Sequence, residues 1–326
     1  MNIIETTNLR KEFGKVVAVD SVSFKVKSGE IFGFLGPNGA GKTTVINMLN
    51  TLLLPTSGTA KIAGYDVINE PQKVRENIGL VPQEIVLENS LSAKENLEFY
   101  SKLYHVPKKE ADASIKKLLE LVNLSNRAND PVQTFSGGMK RRLEIAKSLL
   151  HKPKLIFMDE PTLGLDPQGR RLTWEYIKKL NRDEKITVFL TTHYLEEADF
   201  LCDRVAIIDN GKIKAIDTPH TLKEELAEGN IIDVKLENNI ENFVNSLKKL
   251  DFKPQILEDK TVRVVVPKTK EIVPKIFKIA HNLRVKIESI SMHEPSLEDV
   301  FIHYTGRAIR DESAEQDSKK MLRMFR

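Results

Sequence analysis

A glycine-rich segment that ends in a lysine and two hydroxyl residues has the spacing of a phosphate-binding loop. It lies between the apolar run 31–35 and the helix-like pattern 45–49, and it reads Gly36-Pro37-Asn38-Gly39-Ala40-Gly41-Lys42-Thr43-Thr44. Glycines let the backbone turn so that successive N–H groups face phosphate oxygens, and the following helix adds its positive N-terminal end. In this pattern Lys42 reaches the outer phosphates and the Thr43 hydroxyl can ligate Mg²⁺. The alternative is a glycine-rich turn without a ligand, which the complete pattern in its strand–helix context disfavours.

Two adjacent acids follow another apolar run. Asp159 and Glu160 come directly after residues 155–158. Taken alone, this pair would indicate an ordinary solvated start of a loop. Beside a phosphate loop, a carboxylate at a strand end is the expected partner of the metal, so Asp159 is predicted to hold Mg²⁺ through water. Glu160 is then the candidate general base for the attacking water.

Three further side chains are candidates for contacts with a nucleotide. Gln83, after Val81-Pro82, could touch the metal or water and sense the γ-phosphate, although a lone Gln at a strand end is usually only a surface residue. His193 follows the apolar run that ends at residue 190 and could donate to the γ-phosphate. Phe13 is predicted to lie in a short loop before the first alternating strand, where it could stack on adenine. A buried anchor is the alternative for Phe13.

The composition describes an ordinary globular protein. The chain has 326 residues, of which 40% are hydrophobic and 29% charged, enough for two domains. Fifty Lys and Arg against 46 Asp and Glu are too balanced to indicate nucleic-acid binding by charge alone. The single cysteine, Cys202, excludes an internal disulfide and fits a reducing cytosol. Neither a signal peptide nor an apolar run of about 20 residues is found, so a membrane role would be exercised from the cytoplasm through a partner.

The elements around these residues predict an α/β fold. The first thirty residues alternate around 16–19 and 22–26, which predicts a small antiparallel sheet with Ser28-Gly29 as a turn. Between Ser92 and about Val132 the pattern is helical, and it starts with a capping box of Ser92 and Glu95. Strands that alternate with helices predict a parallel core sheet flanked by helices. These strands are predicted at residues 31–35, 78–83, 155–160 and 186–190, followed by a hairpin with Asn210-Gly211 as its type I′ turn.

The composition changes after Gly229. The segment 229–306 shows the order βαββαβ plus a closing helix, which predicts a ferredoxin-like α+β domain. The predicted domains are therefore 1–226 and 229–306, and 307–326 is predicted to be a flexible tail. Binding of this basic tail to a membrane or a partner is the alternative.

The segment Ser136-Gly137-Gly138-Met139-Lys140-Arg141-Arg142 resembles the signature motif of ABC-type ATPases. The phosphate loop, Gln83, Asp159-Glu160, Leu163-Gly164-Leu165-Asp166 and His193 complete the set of family motifs in family order. The resemblance covers residues 1 to about 220. Phe135 stands where the family usually has Leu, a conservative departure.

This resemblance implies a head-to-tail dimer of two copies of the chain, with ATP and Mg²⁺ as ligands. ATP held on Lys42 of one subunit would be closed by Ser136, Gly137 and Gly138 of the other. Backbone N–H donors at a helix N-terminus suit this task, because they can bind the γ-phosphate once the dimer has closed. The segment that ends at Asp166 would lie across the dimer seam.

The C-terminal segment 294–306 resembles the end of drug-resistance (daunorubicin-type) ABC exporter ATPase subunits. From its residues it is a capped helix, with Ser296 as N-cap and Asp299 at its third position. The resemblance implies an ATP-hydrolysing subunit on the inner face of the cell membrane that drives a separate permease. The alternative is a soluble ABC ATPase acting on ribosomes or nucleic acid. Such relatives usually carry two nucleotide domains or a long coiled coil, and this sequence has neither, so nucleic acid is not expected as a partner.

Overall fold

The computed structural model describes residues 1–226, 229–252, 254–257, 260–267 and 272–306. The predicted tail 307–326 lies outside the described residues, as do Glu258 and Asp259 of a turn that the sequence predicts at 258–260. The chain divides into two compact units, Met1–Asp217 and Thr218–Ile309. This division falls earlier in the chain than the sequence-based boundary at 226. The helix Pro219–Leu226 therefore belongs to the second unit. Within this unit the Tyr304 hydroxyl donates a hydrogen bond of 2.6 Å to Glu225 on that helix.

The first unit is built on a six-stranded sheet that confirms the predicted parallel core. The strands span Ile31–Leu35 (β4), Ile78–Val81 (β7), Leu155–Asp159 (β8), Thr187–Thr192 (β9), Arg204–Asp209 (β10) and Lys212–Asp217 (β11). Their order in the sheet is β11-β10-β4-β9-β8-β7, and only β11 runs antiparallel to its neighbour. The predicted hairpin joins β10 to β11 through Asn210 and Gly211, which both have positive φ (49° and 73°), as a type I′ turn requires.

Strands β4, β9 and β8 are neighbours in this sheet, and all their residues are buried. Parallel strands end at the same edge, so the residues that follow them meet there. The glycine-rich segment follows β4, Glu160 follows β8 and His193 follows β9. Sheet order therefore assembles the candidate site from three distant parts of the chain.

Seven helices of the described first unit accompany this sheet. They span Lys42–Leu49 (α1), Pro71–Asn77 (α2), Ala93–Leu103 (α3), Lys108–Leu121 (α4), Gly137–Ser148 (α5), Pro167–Glu184 (α6) and Leu195–Leu201 (α7). The predicted capping box starts α3, since Ser92 accepts from the Glu95 N–H and Glu95 accepts from the Ser92 N–H. The apolar pattern predicts a second helix of the insert over residues 113–124, whereas the helix begins at Lys108, directly after Pro107, which cannot donate a backbone hydrogen bond.

The N-terminal antiparallel sheet contains a strand that the sequence pattern missed. Its strands span Asn2–Phe13 (β1), Val16–Val22 (β2), Lys25–Lys27 (β3), Ser57–Ile62 (β5) and Tyr65–Asp66 (β6). Strand β1 pairs with β2, β3 and β5, and the register shifts along each pairing. These shifts break the two-residue alternation by which a strand is recognised. The prediction that Phe13 lies in a loop is wrong, because Phe13 is the last residue of β1.

Aromatic rings form the centre of the first unit. Phe189 on β9 lies 5.4–5.9 Å, between ring centroids, from the rings of Phe24, Phe32, Phe34 and Phe157. Such ring pairs contribute about 0.5–1.5 kcal/mol each beyond the burial of their surface. The cluster fixes the sheet whose edge carries the candidate site.

The second unit has the predicted ferredoxin-like order. Its strands form an antiparallel sheet in the order β13-β14-β12-β15. Buried residues of two helices, among them Phe243, Leu247 and Ile276, form a hydrophobic core with strand residues. The sequence pattern predicts a strand over residues 252–257, whereas the strand found there spans two residues. The elements are Pro219–Leu226 (α8), Gly229–Leu236 (β12), Ile240–Lys248 (α9), Gln255–Ile256 (β13), Thr261–Pro267 (β14), Ile272–Asn282 (α10), Ile287–His293 (β15) and Leu297–Thr305 (α11).

A half-buried arginine connects three elements of this unit. Arg263 on β14 donates two hydrogen bonds of 2.7 Å to Asp233 on β12. Its third nitrogen lies 2.6 Å from a carboxylate oxygen of Asp299, the buried capping residue of α11. The planar guanidinium suits this bidentate contact, which a lysine could not reproduce. Arg263 therefore holds the closing helix against the sheet.

Replacing Arg263 by methionine is expected to lower the free energy of opening of the second unit by about 3 kcal/mol, because two carboxylates lose their common partner. Hydrogen exchange of the β14 amides in the full chain measures this opening. Lys235→Met, which removes an exposed pair with Glu288, is the matched control and is expected to cost at most about 1 kcal/mol. If both substitutions lowered the free energy of opening equally, Arg263 would not hold the closing helix against the sheet as inferred.

Candidate active site

The loop between β4 and α1 accepts only glycine at two positions. A Cβ on Gly36 would lie 2.4 Å from the carbonyl oxygen of Ile208. Gly41 has a φ of 101°, and a Cβ there would lie 2.5 Å from the carbonyl oxygen of Ala18. Gly41 immediately precedes α1, so its conformation directs the chain into the helix. Pro37, Asn38, Gly39 and Ala40 complete the loop, and Thr44 lies in the first turn of α1.

Lys42 is buried at the centre of the site. Its ammonium donates to the carbonyl oxygens of Gly36 (2.7 Å) and Pro37 (3.1 Å) and lies 3.3 Å from Glu160 Oε1. Burial lowers the pKa of Lys42, and the Glu160 carboxylate opposes that shift. Three oxygens thus compensate a charge that would otherwise be costly to bury.

Glu160 is held in an unusual backbone conformation. Its φ is 48°, which costs a non-glycine residue about 1–3 kcal/mol. Two contacts from its N–H, to the carbonyl and the hydroxyl oxygen of Thr191 (both 3.1 Å), hold the residue in this conformation. Glu160 Oε2 lies 2.7 Å from His193 Nδ1. Burial alone would raise the pKa of Glu160, but His193 and Lys42 outweigh it, and the pKa lies below its usual value.

Asp159 and Thr43 supply oxygens beside this cluster. Thr43 Oγ1 lies 3.4 Å from Asp159 Oδ1, and the Thr191 hydroxyl donates to the same carboxylate oxygen. Hydroxyl and carboxylate oxygens are the donors that Mg²⁺ prefers, so these residues fit the ion that the sequence predicts. Thr191 was not singled out in the sequence. Its only signal there is a polar residue near the end of an apolar strand.

The signature residues stand apart from Lys42 within one chain. Ser136 caps α5 by accepting from the Met139 N–H (3.3 Å), and Asp166 caps α6 by accepting from the Gly169 N–H (2.9 Å). Together with Gly137 and Gly138 these two residues line a cavity of about 370 Å³. Among the described residues, no hydrogen bond or ion pair connects Ser136, Gly137 or Gly138 to Lys42 or Glu160.

The two remaining candidates are exposed. Gln83 lies in the loop after β7, and its carbonyl oxygen accepts a hydrogen bond from Arg141 (2.6 Å). The Phe13 residue is 50% exposed, so the buried-anchor alternative is wrong. Its ring lies 5.2 Å from the Lys11 ammonium and remains available for a planar ligand.

A buried acid next to the site was missed by the sequence pattern. Glu197 on α7 is fully buried and accepts from the Thr162 hydroxyl (2.7 Å) and from the indole N–H of Trp174 (2.8 Å). Burial raises its pKa. It thereby connects the segment after Glu160 to the helix after His193. Charged residues on helices are usually solvated, so the residue pattern offers no signal that would single out Glu197.

Comparison with known proteins gives the family. The family model "ABC transporter" matches residues 19–163, and "ATP-binding protein DrrA1-3-like, C-terminal domain" matches 218–305. The linearmycin resistance ATP-binding protein LnrL of Bacillus subtilis (strain 168) is 41% identical over 95% of this chain and 100% of its own length. The chain belongs to the ABC transporter ATP-binding protein family. Two other relatives of this ABC ATPase are the doxorubicin resistance ATP-binding protein DrrA of Mycobacterium tuberculosis (strain ATCC 25618 / H37Rv), 38% identical over 93% of each chain, and the Nod factor export ATP-binding protein I of Rhizobium etli, 35% identical over 94% of each.

Solved structures share the fold of the ABC ATPase. CbiO1 from Clostridium perfringens, part of the ABC transporter complex cbiONQ, matches 76% of this chain and 97% of its own with a TM-score of 0.65 and 25% identity. The cassette MJ0796, a dimer in a post-hydrolysis state bound to ADP and Pi, matches 66% of this chain and 98% of its own with a TM-score of 0.59 and 28% identity.

The predicted activity is confirmed by these relatives. The chain is a nucleotide-binding ATPase subunit of an ABC export system, of the drug-resistance type that the sequence predicted. The relatives give no support to the alternative of a protein that acts on ribosomes or nucleic acid. Among the described residues of this ABC ATPase, no helix is long and apolar enough to span a membrane.

The raised pKa of Glu197 predicts a pH-dependent effect of Glu197→Gln. A buried acid whose pKa is raised on folding contributes most to the free energy of unfolding when it is protonated. This contribution is lost as pH rises through the pKa of the folded state. Glutamine cannot ionise, so the Tm of Glu197→Gln minus that of the wild type is expected to increase from pH 5 to pH 8. Fluorescence of the single tryptophan, Trp174, reports the transition.

Glu175→Gln, a change on the exposed face of α6, is the control, and its difference in Tm from the wild type should be the same at both pH values. If the difference in Tm between Glu197→Gln and the wild type were also the same at both pH values, ionisation of the buried Glu197 would not cost stability as predicted.

Proposed function

We propose that two copies of the chain form a head-to-tail dimer that binds ATP at its seam. The observation that supports this most directly is that, within one chain, Ser136 and its two glycines make no hydrogen bond or ion pair to Lys42 or Glu160 among the described residues. A second copy would supply Ser136, Gly137 and Gly138 to the nucleotide held on Lys42, and Asp166 would lie at the seam. The dimeric state described for MJ0796 is in line with such an arrangement.

In this proposal the backbone of the loop 36–44 and Lys42 hold the phosphates of ATP, and the exposed ring of Phe13 stacks on adenine. Thr43, Asp159 and Gln83 would hold Mg²⁺ directly or through water. When bound, the ion neutralises phosphate charge. The 3.4 Å separation of the Thr43 and Asp159 oxygens supports their assignment to one ion.

Glu160 would act as the general base that takes a proton from the attacking water. In the structure Lys42 and His193 hold its pKa down, while burial opposes them. When the Lys42 ammonium binds a phosphate, the ionised form of Glu160 loses part of its stabilisation. Burial then raises the pKa of Glu160 and makes the carboxylate a stronger base. His193 would donate to the γ-phosphate and orient Glu160 through their 2.7 Å contact.

Hydrolysis would drive a separate permease embedded in the membrane, with this subunit on the cytoplasmic face. Relatives named for resistance to linearmycin and doxorubicin and for Nod factor export support movement of a compound out of the cell. Closure of the dimer on ATP would push on the permease, and reopening after hydrolysis would reset it. We expect no role for nucleic acid in this cycle.

Replacing Glu160 by glutamine is expected to lower ATP turnover by at least about 100-fold, since it removes the general base. The same variant is expected to accumulate an ATP-bound dimer, which size-exclusion chromatography detects. Glu184→Gln, a change at the exposed end of α6, is the matched control and should keep wild-type turnover and a transient dimer. Wild-type turnover in Glu160→Gln would overturn the role of Glu160.

The partner can be tested with tagged Glu160→Gln purified from native membranes in the presence of ATP. We expect a polytopic membrane protein to co-purify, and we expect it to be lost when ATP is omitted. Recovery of ribosomes or DNA in its place would contradict the exporter. Salt dependence separates specific from non-specific capture of nucleic acid, because the latter weakens steeply with salt.

A further inference from the structure

One backbone carbonyl group lies where three segments of the first unit meet. A Cβ on Gly41, at the end of the glycine-rich loop, would lie 2.5 Å from the carbonyl oxygen of Ala18. A Cβ on Gly211 would lie 2.8 Å from the same oxygen. Ala18 belongs to β2, and Gly211 belongs to the turn between β10 and β11. The loop and the turn therefore approach β2 this closely only because both residues are glycines.

Two backbone hydrogen bonds hold the turn at this meeting point. The Gly211 N–H donates to the carbonyl oxygen of Ala40 (3.1 Å), and the Gly211 carbonyl oxygen accepts from the Asp20 N–H (2.8 Å). Gly211 thus binds the glycine-rich loop through its N–H and β2 through its carbonyl group. Both Gly211 and Ala40 are buried, and hydrogen bonds in a buried place are stronger than in water.

Strand β2 connects this meeting point to Phe13. Phe13 is the last residue of β1 and pairs with Val16, the first residue of β2. Ala18 follows Val16 by two residues, which is about 7 Å along a strand. A short, paired piece of strand therefore connects the ring proposed to stack on adenine with the loop proposed to hold the phosphates.

The shape of the turn alone does not account for these contacts. A second turn of the same unit, Ala63-Gly64 between β5 and β6, also has two positive φ angles (52° and 89°). A Cβ on Gly64 would meet no atom of the described residues within 4 Å. A two-residue turn thus explains the positive φ of Gly211, but it explains neither the close approach to Ala18 nor the bond to Ala40.

We propose that Gly211 is a positioning residue that sets the distance between the Phe13 ring and the glycine-rich loop. The base and the phosphates of a nucleotide are joined covalently, so both can bind only when the ring and the loop are correctly spaced. Gly211 fixes this spacing because it holds the loop at Ala40 and lets β2 lie against the turn at Ala18. This inference rests on the proposed stacking of adenine on Phe13.

Gly211→Ala in the full chain tests this role, because the new Cβ forces β2 away from the turn. The affinity for ADP, measured by titration calorimetry, is expected to fall at least about fivefold, the lower end of what the loss of base stacking costs. The kcat for ATP is expected to stay within about twofold of the wild type, since the base is bound equally before and during the reaction.

Gly64→Ala is the matched control. It also places alanine at a positive φ in a two-residue turn, so it carries a similar backbone strain, but its Cβ displaces no strand. Its affinity for ADP and its kcat are both expected to stay within about twofold of the wild type, because the site lies outside the junction.

Phe13→Ala, alone and together with Gly211→Ala, shows whether Gly211 acts through the ring. If it does, the double variant should bind ADP no more weakly than Phe13→Ala alone, because the contact that Gly211 aligns is already missing. Losses of affinity that simply add would overturn the inference. An unchanged affinity for ADP in Gly211→Ala, while Phe13→Ala weakens binding, would overturn it as well, and so would a fall in kcat, which would mean that Gly211 shapes the loop itself.

An unchanged affinity for ADP in Phe13→Ala would refute the proposed stacking of adenine itself, and the inference would fall with it. Fluorescence of Trp174 shows whether Gly211→Ala folds. If it does not, Asp20→Ala takes its place. It adds no atom and removes the ion pairs that attach β2 to Lys212 (3.1 Å) and to Arg10. Binding of ADP about twofold weaker in Asp20→Ala supports the inference, and unchanged binding overturns it.

Discussion

The contact between the Lys42 ammonium and the Glu160 carboxylate is the interaction on which the rest of the site depends. Both groups are buried, and each would be costly to keep charged without the other. His193 holds the second oxygen of Glu160, and two carbonyls of the glycine-rich loop hold Lys42. The cluster thus holds the loop, the acid and the histidine together at one edge of the sheet.

The sheet makes this contact possible. Strands β4, β9 and β8 are adjacent and buried along their whole length, so their polar residues appear only where the strands end. The strained conformation of Glu160 is tolerated because Thr191, on the neighbouring strand, binds its N–H. Glu197 on α7 is buried nearby and binds Thr162 and Trp174. A hydrophobic core of aromatic rings therefore supports a cluster of charges at its edge.

Both units use buried charges to fix one element on another. In the first unit Arg141, Glu144 and Lys147 on α5 hold the loop after β7 by its backbone. In the second unit Arg263 holds the cap of α11 against two strands. Apolar packing could supply stability at these places, but it would not fix a single position to the same degree, because only hydrogen bonds are directional. Where the position of an element matters for a partner or a nucleotide, directional contacts are the suitable choice.

The sequence by itself determined what depends on local order. The phosphate loop, the capping boxes at Ser92 and Ser296 and the Asn210-Gly211 turn were predicted, since their residue types act on backbone within a few positions. Tertiary structure decided the rest. The strand that ends at Phe13 escaped prediction because three partner strands set its register, with shifts along each pairing. Glu197 and the buried charged residues of α5 resemble solvated charges until their helices are packed. Burial is a property of the whole fold, and it gives these charges roles that their spacing does not reveal.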